Sequence, residues 1–277
     1  MTLCSPPYYN LRDYGHPDQI GLESSSQDYI DKLISIFQEV KRVLKKEGSC
    51  WVVISDSYNS NKSLSMIPER FAISMIDHNW ILRNKIIWYK PNCMPSSVRD
   101  RFTVDWEYLY FFTKSERYYF DTQYEPINPD TLRESRYTIN LTARKSQETR
   151  QGLNKWKPRK DYHKNNVQSP LDIKSRIVSN YAKNEVGRIK RSVWKISPQP
   201  FKEAHFAVYP EKLCETPIKA GCPINGTVLD PFMGAGTTGL VALKLARNFI
   251  GIELNPDYIR IAEKRLKPYL EQLRLVY

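Results

Sequence analysis

Several features that mark other protein classes are missing from this sequence of 277 residues. No stretch approaches the roughly 18 consecutive apolar residues that a membrane-spanning helix needs, so a membrane protein is not predicted. The chain runs into a proline-containing loop directly after Cys4, and we therefore expect no signal peptide.

Paired cysteines are missing as well. None of the five cysteines has a partner at the Cys-x-x-Cys spacing, and their number is odd. This usage predicts reduced thiols in a cytoplasmic protein and argues against a disulfide framework or a zinc site. We expect no metal ligands.

Positive charge is unevenly distributed along the chain. The formal net charge is +12, and residues 131–195 hold 17 Lys and Arg against 5 Asp and Glu. That difference is itself +12, so the other residues, with 25 charges of each sign, are neutral as a group. Lys and Arg neutralise phosphates, whereas Arg, Asn and Gln read base edges, so this segment is predicted to bind nucleic acid. A disordered basic linker is the alternative.

A short loop near the front of the chain combines residue types that suit a binding site. Ser5, Pro6, Pro7 and Tyr8 follow one another directly. Prolines fix φ and donate no backbone hydrogen bond, which leaves carbonyl acceptors for a ligand. The Ser5 hydroxyl and the Pro6 carbonyl suit the two hydrogen bonds that a planar amino group donates, and Tyr8 offers a ring for stacking. A nucleobase has these features; a proline-rich turn without a ligand is the plainer alternative.

Helical and strand patterns alternate through most of the chain. Apolar residues at three- and four-residue spacings predict a helix from Gln27 to about residue 44, after serines that are able to cap it. A second helix is predicted over Pro68–His78. The predicted strands of this part cover residues 1–4, 50–55, 81–90 and 106–113, with 118–121 as a hairpin partner of the last. This alternation predicts an α/β sheet with an antiparallel hairpin at one edge.

The last part of the chain predicts a βαβ unit around a glycine-containing loop. The predicted elements are a helix over residues 211–220, a strand over 227–229, a helix over 237–245, a strand over 248–252 and a helix from residue 256. Gly234 and Gly236 allow the backbone to approach a nucleoside closely, and Glu253, after the second strand, is placed to accept hydrogen bonds from ribose hydroxyls.

The other residues of the loop indicate which nucleoside-containing ligand it binds. Gly234, Gly236 and Gly239 match the spacing of a dinucleotide site, but only 24 residues follow Glu253, so a second nucleotide-binding half would have to lie upstream. No lysine follows Gly236 at the place that a phosphate-binding P-loop requires. The neighbouring residues 230–232 (DPF) suit a flat base with a cationic amino acid part, and S-adenosylmethionine is such a molecule.

The two loops together resemble those of the DNA methyltransferases that modify exocyclic amino groups. SPPY is similar to their catalytic motif, and DPFMGAGTTG is similar to their methionine-binding loop. The order, with the catalytic motif first, a basic segment in the middle and the cofactor loop last, resembles the beta, or permuted, class. The stretches NKIIWYKPN, RFTVDWEYLYFFTKSERYYFD and SVWKISPQPFKEAHFAVYPEKL are similar to the same family.

The resemblance implies a fold, a cofactor and a set of site residues. It implies a Rossmann-like, circularly permuted methyltransferase sheet with a catalytic part at 1–121, a target-recognition insertion at 122–191 and a cofactor-binding part at 192–277. The implied cofactor is S-adenosyl-L-methionine, and duplex DNA is the implied partner. Catalysis is expected at Ser5, Pro6, Pro7 and Tyr8. Cofactor contacts are expected at Asn10, Phe206, Asp230, Pro231, Phe232, Gly234, Gly236, Thr237 and Glu253.

The modified base and the partners are less closely defined. A serine at the first motif position is typical of enzymes that methylate N4 of cytosine, and N6 of adenine is the alternative. A DNA-binding protein without catalysis, an RNA or protein methyltransferase and a dehydrogenase are alternatives from other classes. The resemblance leaves a homodimer and a cognate restriction endonuclease open as partners, and it implies a location on the nucleoid.

One departure from the family pattern concerns the front of the sheet. Family members carry a strand upstream of the catalytic strand, whereas Met1 lies only four residues before Ser5. We therefore expect a sheet that lacks an element, a shortened catalytic strand, weakened cofactor affinity and low activity.

Overall fold

The computed structural model describes residues 1–126, 187–199 and 208–274. The chain divides into two compact units. One contains Met1–Thr122 and Ser192–Tyr277, and the other contains Gln123–Arg191.

The larger unit is organised around a seven-stranded sheet. Its strands, in chain order, are β1 (Thr2–Cys4), β2 (Ser49–Ile54), β3 (Ile81–Tyr89), β4 (Trp106–Thr113), β7 (Val193–Lys195), β8 (Thr227–Asp230) and β9 (Asn248–Gly251). Across the sheet the order is β7-β3-β4-β2-β1-β8-β9. Only β4 runs against its neighbours in this sheet, because its pairings with β2 and β3 are antiparallel and all other pairings are parallel.

Helices connect the parallel strands and cover both faces of the sheet. They are α1 (Ser26–Val43), α2 (Ile67–Asp77), α3 (Glu211–Gly221), α4 (Thr237–Lys244) and α5 (Pro256–Arg274). The predicted serine cap of α1 is present, since the Ser25 side chain accepts a hydrogen bond from the Asp28 N–H. The start of α2 is held by Asp56, whose carboxylate accepts from the N–H groups of Met66 and Ile67 at 3.0 Å each. None of the helices in the described ranges is both long and apolar enough to cross a bilayer.

In the part of the chain that the structure describes, buried apolar side chains pack on both faces of the sheet. In β2, side chains alternate between the two faces: Val52 and Ile54 pack with α1 and α2, whereas Trp51 and Val53 pack with α3 and α4. All six residues of β2 are buried, as the continuous apolar run predicts. The predicted α/β fold is therefore confirmed, and most predicted element boundaries agree with the structure within one or two residues.

One strand prediction is wrong. Residues 118–121 form no strand, because both edges of their predicted partner β4 are already occupied by β2 and β3. The segment instead packs on the sheet: the Phe120 ring stacks on Phe111 at 5.6 Å, and the Asp121 N–H donates to the Ala220 carbonyl. The antiparallel part also does not form the sheet edge, because β7 pairs with the outer side of β3.

The short strand β1 lies in the middle of the sheet. Its three residues are buried and pair with β2 on one side, and Thr2 pairs with Leu229 of β8 on the other. The amino group of Met1 donates to the Thr227 carbonyl at 2.8 Å. The strand is thus held on both sides, while the expected weakening of cofactor affinity stays a prediction.

The smaller unit is described only at its two ends. There, β5 (Tyr124–Glu125) and β6 (Arg188–Ile189) form an antiparallel pair. The Glu125 carboxylate bridges Arg188 at 2.8 Å and Arg191 at 2.7 Å.

Candidate active site

A cavity of about 560 Å³ lies at the carboxyl ends of the central parallel strands. The chain leaves β1 towards β2 on one side and leaves β8 towards β9 on the other, so neighbouring strands β1 and β8 form a topological switch point. Ligands of open α/β sheets bind in the crevice at such a point. The loop after β1 contains Ser5–Tyr8 and the loop after β8 contains the glycines, and both line the cavity.

The serine-proline loop is fixed by hydrogen bonds that leave one carbonyl available. The Pro7 carbonyl accepts from the buried Tyr29 hydroxyl at 2.7 Å. No hydrogen bond to the Pro6 carbonyl is present among the described residues, so this carbonyl is the proline acceptor that remains for a ligand. Gly21 supports the loop from the other side, because its φ of +111° brings its backbone close to the Tyr8 carbonyl.

A chain of hydrogen bonds extends from Ser5 into the sheet. The Ser5 hydroxyl donates to the Tyr8 hydroxyl at 3.3 Å, and the Tyr8 hydroxyl donates to Glu107 Oε2 at 2.7 Å. The other carboxylate oxygen, Oε1, forms an ion pair with Lys90. Burial, and secondarily the negative charge of Glu107, raises the pKa of Tyr8 well above its usual value, so the hydroxyl keeps its proton.

A buried acid lies beneath the glycine loop. Asp230, the last residue of β8, is fully buried and accepts hydrogen bonds from the Phe232 N–H at 3.0 Å and the Tyr209 hydroxyl at 3.3 Å. Tyr209 also hydrogen-bonds to Thr238 on α4. Burial raises the pKa of Asp230 to about 6, against the opposing effect of these hydrogen bonds.

The glycine loop is tied to the end of β9 through Glu253. Its Oε2 accepts from the Gly234 N–H at 2.8 Å, and its Oε1 accepts from the N–H groups of Leu254 and Asn255 at 2.9 Å each. A carboxylate oxygen has about two acceptor positions, so Oε1 is fully used and Oε2 retains capacity for a ligand hydroxyl. Gly236, with φ of +78°, is the N-cap residue of α4, and a Cβ added at this position would lie 3.0 Å from the Cβ of Ala262.

The structure brings most of the predicted site residues to one cavity. Those that line it are Ser5, Pro6, Pro7, Tyr8, Pro231, Phe232, Gly234, Thr237 and Glu253. Asp230 and Gly236 adjoin these residues in the chain but do not line the cavity. Asn10 is exposed and also does not line it, while its N–H donates to the Gly21 carbonyl at 2.7 Å. Phe206 lies outside the described residues.

Lys90, Glu107 and Tyr209 are among the cavity residues that were not predicted as site residues from the sequence. Lys90 directly follows β3, Glu107 lies in β4, and Tyr209 precedes α3. Each lies in a stretch that resembles the family, yet a lone lysine, glutamate or tyrosine beside a strand or helix carries no local signal of a site. Among the described residues, no group of three or more His, Cys, Asp or Glu side chains is arranged to hold a metal ion.

Comparison with known proteins places this geometry in a family. Residues 1–264 match the N6/N4 methyltransferase family, whose members are described as DNA methylases. The chain is 34% identical to Type II methyltransferase M.Cfr9I of Citrobacter freundii, over 96% of this chain and 80% of the relative.

The chain belongs to the N6/N4 DNA methylase family.

Solved structures agree with this assignment at the level of the fold. The PvuII DNA methyltransferase, which is cytosine-N4-specific, superposes with a TM-score of 0.62 at 20% identity, over 95% of this chain and 78% of that one. A putative DNA modification methylase of Thermus thermophilus was solved in complex with S-adenosyl-L-methionine. It has a TM-score of 0.56 at 19% identity, over 97% of this chain and 86% of that one. The prediction of an amino-directed DNA methyltransferase is confirmed at the family level, and the family covers both N4-cytosine and N6-adenine enzymes.

Proposed function

We propose that this N6/N4 DNA methylase transfers a methyl group from S-adenosyl-L-methionine to the N4 amine of cytosine in duplex DNA. The observation that carries the proposal is the shared cavity, in which the Ser5–Tyr8 loop faces the Gly234 loop across the switch point. A methyl donor and a base that bind the two loops are thereby held in one cavity. The serine at the first motif position supports cytosine over adenine.

The cofactor half of the cavity suits S-adenosyl-L-methionine. When bound, this cofactor supplies a methyl group on a positively charged sulfur. Asp230 and Glu253 place two acidic groups near the glycine loop, and their negative charge complements the cationic methionine part. Glu253 Oε2 keeps acceptor capacity for a ribose hydroxyl, and the backbone at Gly234 is open to close approach, since a Cβ built there meets no atom within 4 Å.

The base half of the cavity suits an exocyclic amine. A base inside a duplex must be flipped out of the stack to reach Ser5, at a cost of a few kcal/mol. The Ser5 hydroxyl oxygen and the Pro6 carbonyl are two acceptors for the two N–H bonds of the amine. Hydrogen bonds at both N–H groups favour a pyramidal nitrogen, whose lone pair then points away from the ring plane towards the methyl donor. Tyr8 supports the base with its ring, while its hydroxyl is held by Glu107.

The remaining assignments follow the chain order. With the catalytic loop before the cofactor loop, the protein is a beta-class enzyme. We assign target recognition to residues 122–191, where most of the excess positive charge is found. DNA affinity should then fall steeply with added salt, since each neutralised phosphate releases counterions. A homodimer, a cognate restriction endonuclease and a nucleoid location stay predictions.

The proposal is tested by identifying the methylated nucleoside. Duplex DNA is incubated with the protein and tritium-labelled cofactor, digested to nucleosides and examined by mass spectrometry. We expect N4-methylcytosine, and we expect Ser5→Ala to lower the rate about 100-fold because the amine loses one acceptor. Ser35→Ala, which changes an exposed serine of α1, is the matched control and should keep full activity.

Two outcomes contradict the proposal. N6-methyladenine in the digest assigns the enzyme to adenine. DNA binding without any transfer at saturating cofactor assigns the chain to DNA-binding proteins that have lost catalysis.

A further inference from the structure

Four side chains form a connected chain at the base end of the cavity. It runs from the Ser5 hydroxyl through the Tyr8 hydroxyl to Glu107, and it ends at Lys90. The Lys90 and Glu107 side chains are only 19% and 13% exposed, so water screens their interaction weakly. Tyr8 and Glu107 are 99 residues apart in the sequence.

The Lys90–Glu107 pair is held in place by the pairing of two strands and by the Trp88 ring. Lys90 and Glu107 lie at the adjoining ends of paired strands β3 and β4, where Trp88 is the register partner of Glu107. The Lys90 ammonium also lies 4.4 Å from the centre of the buried Trp88 ring, whose N–H donates to the Ile196 carbonyl at 2.8 Å. These contacts hold the carboxylate in one position.

The carboxylate determines the direction of every hydrogen bond in the chain. An ionised carboxylate only accepts, so the Tyr8 hydroxyl must donate to Glu107. The Tyr8 oxygen is then an acceptor for the Ser5 proton. Once the Ser5 proton points at Tyr8, the lone pairs of the Ser5 oxygen are what the hydroxyl offers to the cavity. A base amine meets an acceptor there, as amine methylation requires.

The same chain provides a path for the proton that methylation releases. The amine nitrogen forms a bond to the methyl carbon, and the carbon–sulfur electron pair stays on sulfur. The nitrogen, now positively charged, loses a proton to the Ser5 oxygen. Ser5 passes its own proton to Tyr8, and Tyr8 passes its proton to Glu107. The products are a neutral methylated base, a neutral thioether and a protonated Glu107, so atoms and charge balance.

We infer that Glu107, held by Lys90, is a positioning residue that makes Ser5 a hydrogen-bond acceptor and receives the reaction proton through Tyr8. This inference rests on the proposed function. Glu107 acts through Tyr8 and Ser5 and does not itself touch the base. In this arrangement Ser5 needs no neighbouring histidine or lysine as a base, because Glu107, at the far end of the hydrogen-bond chain, accepts the proton.

The test is a double-mutant cycle on the full chain, using single-turnover methylation of duplex DNA at saturating cofactor. Glu107→Gln can donate to Tyr8 and cannot take up the proton, and Tyr8→Phe removes the middle hydroxyl. We expect each variant to lower the single-turnover rate about 100-fold with little change in the KM for DNA or cofactor. The single-turnover rate of the double variant should lie within about threefold of the rate of either single variant, because the two groups act as one unit. Glu107→Asp keeps a carboxylate and should recover part of the lost rate.

The control variant removes the carboxylate of another glutamate that pairs with a lysine, at a position outside the cavity. Glu69 pairs with Lys85 of β3 at 3.0 Å, and neither lines the cavity. Glu69→Gln should methylate at the wild-type rate. Thermal melting and binding of S-adenosylhomocysteine check that all variants are folded. If Glu107→Gln does not fold, the test relies on Tyr8→Phe, which loses a single oxygen atom.

Two results would overturn the inference. One is a Glu107→Gln rate within threefold of wild type, and the other is a double variant whose loss is the product of the two single losses. Both are distinct from failure of the proposed function, which shows as absence of methyl transfer by the wild-type chain in the same assay.

Discussion

Replacing Asp230 by asparagine should make the stability of the protein less dependent on pH. Asp230 is fully buried, and its pKa is raised from 3.8 to about 6. A raised pKa means that the native state binds a proton more tightly than the unfolded chain does. The stabilisation from the protonated form is therefore complete below about pH 4 and is lost as the pH rises through about 6.

The size of the effect follows from the shift. A shift of about two pKa units corresponds to ~3 kcal/mol of stability, at ~1.4 kcal/mol per unit. The wild type loses this stabilisation between about pH 4 and pH 7, whereas Asp230→Asn does not. Other carboxylates also titrate in this range, but they are common to both proteins. The difference in unfolding free energy between variant and wild type isolates Asp230. It should shift in favour of the variant by up to ~3 kcal/mol over this range and then level off.

The assay is urea unfolding of the cofactor-free protein at several pH values, with Asp77→Asn as an exposed control. Adding S-adenosylmethionine provides a second readout. A cationic ligand favours the ionised carboxylate, so cofactor affinity of the wild type should rise with pH through about 6. A stability difference that is constant from pH 4 to pH 8 refutes the reasoning, because it means that Asp230 titrates alike in the folded and unfolded chains.

Two further predictions concern the surroundings of the site. Gly21→Ala should destabilise the protein by ~1–3 kcal/mol and slow methylation, because φ is +111° and the new Cβ lies 2.9 Å from the Tyr8 carbonyl oxygen. Gly15→Ala, at φ of +72° with nothing within 4 Å of its Cβ, is the control and should leave the methylation rate unchanged; equal rates for the two variants contradict the steric argument. Tyr209→Phe removes a hydroxyl that donates to Asp230, so the pKa of Asp230 should rise further and cofactor affinity at neutral pH should fall; an unchanged pH profile of binding speaks against this contact.

The helices and most strands were predictable because their signals are local. Apolar spacing identified α1, and the continuous apolar run identified β2 as a buried strand. The exception is residues 118–121, whose sequence suits a strand. They form none because β4 has no free edge, and the occupancy of an edge depends on residues far away in the chain.

The two loops of the site were predictable for a related reason. Ser5–Tyr8 and Asp230–Gly236 each carry an unusual combination of residues within a few positions, so the chemistry is visible in the sequence. Only the sheet order, which places β1 beside β8, decides that both loops line one cavity.

What the sequence by itself determined is the alternation of helices and strands, the two loops and the family, because each is encoded in neighbouring residues. Only the tertiary structure decided what surrounds them. Pairing of β3 with β4 brings Lys90 to Glu107, and folding then places Glu107 2.7 Å from the hydroxyl of Tyr8. A hydrogen bond between residues 99 positions apart has no local signature, since it depends on how the strands between them are ordered.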